Sequence, residues 1–162
     1  MSEQSWFDKS VTAVRILLAV QYLLSGINWY YKIFPFPSLM DGADFPQKHE
    51  VATAMIMSGW MFDVTKIIEL ATGFALLFNR FVPLVLVASI TVAITTFLLD
   101  AFIIDEIIGL FSGSVSWAVT WAAIKDMVFF GGAVIVMQVY LMFAYLDYYK
   151  PMLAAIATPR MP

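Results

Sequence analysis

Four long apolar runs separated by short polar breaks set the plan of this chain. Residues 11–31, 60–78, 81–99 and 117–146 are each long enough to approach or exceed the ~30 Å hydrocarbon layer of a bilayer, at about 1.5 Å per helical residue. Residues 1–10 are polar apart from Trp6 and Phe7, and they read as an interfacial lead-in, because aromatic rings favour the headgroup level. Glu3 and Asp8 stand ahead of a run longer than a signal-peptide core, so the first run reads as a retained helix. It closes on Asn28-Trp29-Tyr30-Tyr31-Lys32, an aromatic belt with a basic anchor.

The breaks are as informative as the runs. Phe34-Pro35-Phe36-Pro37 cannot be regular helix, since each proline restricts the residue before it. Asp41-Gly42-Ala43-Asp44 reads as a turn, and Pro46 opens a short helix over residues 47–59. Only Asn79-Arg80 separates the second and third runs, which makes them antiparallel neighbours, and Pro83 fits the first turn of the third. Residues 100–116 set Asp105-Glu106 among isoleucine and phenylalanine. They read as an amphipathic segment in the interface with its carboxylates facing water, a lid over a cleft being the alternative. The pattern predicts an all-α fold: a single membrane domain over residues 1–162, built as a four-helix transmembrane bundle with an interfacial segment between helices 3 and 4.

Polar positions inside the runs mark candidate chemistry. Asp63, Lys66, Glu69 and Gly73 recur at helical spacing and form one stripe on the second helix. An ionised group among apolar residues costs roughly 2.5–3.5 kcal/mol at the centre of a membrane helix, so such groups persist when paired, hydrated or functional. Two readings compete: a self-neutralised Lys66–Glu69 pair, or a deep Glu69 facing Arg15 across a ligand cleft, with Lys66 near enough to the interface to reach water. A proton relay through Glu69 is a third. Arg15, Ala19, Tyr22, Gly26 and Trp29 share a face of the first helix that points into the bundle. Arg15 either snorkels to the near interface or partners Glu69 or an anion. The candidate binding set is Arg15, Tyr22, Trp29, Lys66 and Glu69, with the rings of Tyr22 and Trp29 as a stacking wall. No catalytic residue stands out. Gln138, at mid-membrane in the fourth run, needs a partner inside the bundle. Met55, Met57, Met61 and His49 are residue types that suit copper(I). Methionine is also a common filler of apolar gaps, and Met55 and Met57 fall on different helix faces, so no metal site is expected.

Composition makes lipid the solvent. Hydrophobic residues are 62% and charged residues 13% of 162, against ~45–50% and ~25% in soluble domains. A core this small cannot bury that surplus. The absence of cysteine excludes disulfides and thiolate metal sites, and the lone His49 excludes a haem held by two histidines of this chain alone. A net charge of −3 with no basic tail argues against nucleic acid as a partner. Four crossings put Lys9, Arg15, Arg80, Lys150 and Arg160 on one side and Lys32, Lys48, Lys66 and Lys125 on the other. That slight excess places both termini in the cytoplasm.

Arg15 opening the first helix, Ser25-Gly26 and Lys32 farther along it, the run Ile68-Glu69-Leu70-Ala71-Thr72-Gly73-Phe74-Ala75-Leu76-Leu77 and the following Asn79-Arg80 together resemble the DoxX-like family of small four-helix membrane proteins. The resemblance implies a bacterial inner-membrane protein. It also implies either a quinone-interacting or accessory subunit of a membrane oxidoreductase system, as in small subunits linked to terminal quinol oxidases and thiosulfate:quinone oxidoreductases, or a non-catalytic assembly, chaperone or ligand-binding protein. Expected partners are the bilayer, oxidoreductase subunits or a second copy of the chain. Quinone is the one cofactor it suggests.

Overall fold

Nothing in residues 3–10 breaks a helix, and in the computed structural model α1 runs unbroken over Glu3–Tyr31. The structure describes residues 3–33, 46–101 and 103–150. The proline motif at 34–37 and the turn at 41–44 lie outside the described residues. Then follow α2 (Pro46–Met57), α3 (Met61–Leu77), α4 (Val82–Asp100), α5 (Ile103–Ser112), α6 (Trp117–Asp126), a π-helical turn (Met127–Gly132), α7 (Ala133–Ala144) and the short α8 (Leu146–Tyr149). The lead-in is therefore the first turns of α1 and no separate segment. Ser10 ties it to the bundle: its Oγ lies 2.7 Å from the Phe7 carbonyl and 2.6 Å from the Tyr140 hydroxyl on α7.

Among the described residues three stretches are long and apolar enough to cross a membrane: Trp6–Tyr31, Val82–Ser112 and Trp117–Ala144. Helices α2 and α3 meet at 92° and make a fourth if that bent pair is one crossing. Three to four such helices are consistent with an integral membrane protein. The outer surface agrees, since Leu84 (67%) and Phe143 (69%) are exposed, as lipid-facing side chains would be.

The core is assembled from Leu18, Ala19 and Tyr22 of α1, Leu76 of α3, Leu86, Val92 and Ala93 of α4, and Val134 and Leu141 of α7. Two glycines let α1 and α3 close on each other. A Cβ at Gly26 would stand 2.6 Å from Leu70 Cγ, and one at Gly73 would stand 2.7 Å from Leu23 Cγ. Small residues at such crossings are how membrane helices gain packing contact. The turn from α3 to α4 is tight, as its two-residue break requires. Asn79 takes φ 55°, a left-handed conformation that asparagine tolerates, and the Arg80 amide donates to the Ala75 carbonyl at 2.8 Å.

Mid-bundle, Gln138 is fully buried and finds its partners. Tyr22 donates to its Oε1 at 2.7 Å, and its Nε2 donates to the Leu86 carbonyl at 2.7 Å and to Ser89 Oγ at 2.8 Å. This network joins α1, α4 and α7 and leaves no polar atom of the Gln138 amide without a partner.

Candidate functional site

The stripe on α3 resolves into a buried ion pair. Lys66 and Glu69, one helical turn apart, are 7% and 4% exposed. The Lys66 ammonium donates to Glu69 Oε1 at 3.0 Å, to Glu69 Oε2 at 2.9 Å and to Ser25 Oγ of α1 at 2.9 Å. The Phe62 ring lies 5.1 Å from it. Lys66 thus turns inward, where its three hydrogens find acceptors within the bundle.

Arg15 is not the partner of Glu69. Its Nη1 donates to the Leu76 carbonyl, seven residues beyond Glu69 and so about 10 Å farther along the helix. The last turn of a helix leaves carbonyls without intrahelical partners and carries negative partial charge, which draws the guanidinium there. Lys66 meets Glu69 within one turn and needs no cross-bundle reach.

A second charged cluster gathers around Lys48. Lys48 of α2 meets Asp100 Oδ1 at 2.6 Å and Asp126 Oδ2 at 3.3 Å, linking the ends of α4 and α6. Gly131 permits the approach, since a Cβ there would stand 2.6 Å from Asp100 Oδ2. Glu106 of α5 is buried at 5% exposure and does not face water. Helix α5 turns Glu106 and Gly109 inward while Ile104, Ile108 and Phe111 are exposed, the orientation an apolar solvent imposes. Asp105 does stay exposed, accepting from Gln47 Nε2 at 3.0 Å.

The two clusters lie on the wall of one cavity of about 740 Å³, within the size range of small-molecule sites. Tyr22, Ser25, Asn28 and Trp29 contribute from α1, Phe62, Lys66 and Glu69 from α3, Thr91, Thr95 and Asp100 from α4, with Lys48, Met55, Asp126 and Phe130 completing the lining. Of the residues the sequence singled out, Tyr22, Trp29, Lys66 and Glu69 come together on this wall, while Arg15 is not among its lining residues. Trp29 is held in place: its Nε1 donates to Asp63 Oδ1 at 3.0 Å, its ring centroid is 4.4 Å from that of Phe62, and Lys32 Nζ sits 3.7 Å above it. Met55 and Met61 also line the cavity, while Met57 is 79% exposed. Lys48 and Asp100 are not among the candidate residues read from the sequence, whereas Lys125-Asp126 reads there as an interface mark or a buried polar step, and Asp126 is half-buried in this cluster. The signal was a carboxylate just past the third apolar run, another inside the fourth, and a lysine in the short helix between spans.

Chemically the cavity joins mostly apolar and aromatic walls to two lysines and three carboxylates, with threonine hydroxyls free to accept. Fold and site together define an all-helical protein with three to four membrane-length helices around a ligand-sized cavity. The chain matches no protein-family model, no curated protein and no solved structure.

Proposed function

We propose that this chain is a four-helix membrane protein of the DoxX-like kind, acting as a quinone-interacting or accessory subunit of a membrane oxidoreductase system. One observation carries the reading: apolar and aromatic walls lead to a buried ionic patch at Lys66 and Glu69 inside a cavity of about 740 Å³. That polarity profile suits a lipophilic molecule with an oxygen-bearing ring, its ring against Trp29 and Phe62 and its oxygens toward the ion pair. Partner subunits or a second copy of the chain would supply the electron path. A bacterial inner membrane with both termini in the cytoplasm belongs to the same reading.

The test is extraction and titration. Protein purified in mild detergent should release near-stoichiometric quinone on solvent extraction. A short-chain quinone should quench tryptophan fluorescence saturably, and Glu69→Gln should weaken that binding. Folded protein with no extractable quinone and no saturable quenching overturns the reading.

A second reading, a non-catalytic ligand-binding or assembly protein, is favoured by one specific observation. All three Lys66 hydrogens are engaged by Glu69 and Ser25. A quinone carbonyl must displace Ser25 to gain that donor, whereas a ligand held by its apolar surface need not. Pull-down of one stoichiometric membrane partner without bound quinone would favour this second reading.

A further inference from the structure

Lys48 faces more negative charge than it neutralises. A void of about 10 Å³ is lined by Lys48, Asp100, Glu106 and Asp126, with Gln47 beside them. Asp100 and Glu106 are 6% and 5% exposed. One oxygen of each, Asp100 Oδ2 and Glu106 Oε2, is buried without any hydrogen-bond partner. The four charged groups come from α2, α4, α5 and α6, so tertiary folding brings them together.

Fully ionised, one lysine against three carboxylates leaves negative charge uncompensated in a poorly solvated place. Buried carboxylates in that position take up protons in preference to remaining charged. A void this size holds one water at most. A water brings no charge. Among the described residues no three His, Asp or Glu side chains are grouped as a metal ion needs. A proton answers both deficits, because a protonated carboxyl loses its charge and becomes a donor.

We propose that Asp100 and Glu106 form a proton-binding site that exchanges with the large cavity. Lys48, Asp100 and Asp126 line both the small void and that cavity, which gives the proton its route. Lys48 from α2 and the half-buried Asp126 from α6 face Asp100. Lys48 and the exposed Asp105 act on Glu106. His49, next to Lys48, has a buried Nδ1 with no hydrogen-bond partner and is the other titratable group of α2 nearby. The inference does not rest on the quinone reading and holds for any occupant of the cavity.

Infrared spectroscopy of the full chain in lipid nanodiscs tests it. A protonated-carboxyl C=O band, shifted in D2O, should persist at neutral pH. Glu106→Gln or Asp100→Asn should abolish most of it, while Asp147→Asn, at an exposed site, should leave it unchanged. Absence of the band in the unmodified protein at neutral pH overturns the proposal whatever the variants do. So does a band untouched by both substitutions. A band that disappears on adding sodium would mean a metal cation displaces the proton at a site selective for it, and would overturn the proton assignment too.

Discussion

Lys66 and Glu69 stand one turn apart on α3, with both carboxylate oxygens within 3.0 Å of the ammonium and both side chains buried. Each is the other's compensation, so removing one strands the other. Lys66→Met should destabilise the protein by roughly 3–5 kcal/mol. The double variant Lys66→Met/Glu69→Leu should recover most of that, because a buried pair replaced by apolar side chains is often no less stable. Reversible unfolding in mixed micelles, followed by circular dichroism, measures both. A double variant as weak as the single one would show that the loss is not unpaired charge.

Arg15 should behave differently. It donates to the Leu76 carbonyl, and a hydrogen bond with a charged partner contributes about 1.5–3 kcal/mol, with a half-buried case at the low end. Arg15→Met should therefore cost less than Lys66→Met. Its effect should also add to that of Glu69→Gln within about 0.5 kcal/mol, as for independent sites. A larger coupling in the double-mutant cycle would reinstate Arg15 as the partner of Glu69.

The closeness of α1 and α3 depends on a missing side chain. Gly26→Ala places a methyl group 2.6 Å from Leu70 Cγ, and overpacking of this kind costs roughly 1–3 kcal/mol. Leu70→Ala in the same protein should relieve part of that strain. If Gly26→Ala unfolds at the same denaturant concentration as the unmodified protein, the two helices have slack that the geometry does not show.

Lys48 holds α2 against the ends of α4 and α6. Lys48→Met should destabilise the protein by removing the cation that faces Asp126 and the Asp100–Glu106 site, by less than the roughly 3–5 kcal/mol of a fully stranded ion because a proton there already offsets one charge, and Asp100→Asn should return part of it. The hinge at Ser58-Gly59, where α2 meets α3 at 92°, should become more open to limited proteolysis. Unchanged cleavage there would mean that α2 is held by its apolar contacts alone.

Much of this architecture was legible from residue order. The inward face of the first helix is Ala19, Tyr22 and Gly26, as a three-to-four spacing requires, and Gln138 is bonded inside the bundle as a mid-membrane amide must be. Partner choice was not legible. Periodicity orients a side chain about its own helix axis, but depth is set by how helices slide past each other. That depth gives Arg15 to the end of α3 and Lys66 to Glu69. Lys48 reaches acids 52 and 78 residues away, a pairing that no local pattern encodes. The acidic pair of α5 misled for a related reason: neighbouring carboxylates point to different sides of a helix, so Asp105 is exposed while Glu106 is carried inward beside Lys48.

The π-helical turn at Met127–Gly132 sets the angular phase of the last span. Asp126 and Gln138 are twelve residues apart, which in a continuous α-helix, at about 100° per residue, would separate them by about 120° around the axis. A π turn absorbs one residue, leaving an effective eleven and a separation of about 20°. Ser89 and Asp100 on α4 are also eleven apart, and they are the groups that Gln138 and the Asp126 cluster respectively meet. The turn thus takes up one surplus residue while keeping two polar contacts of antiparallel helices in phase, so deleting one residue from it should restore plain α-helix and leave the two in step, whereas inserting one should not.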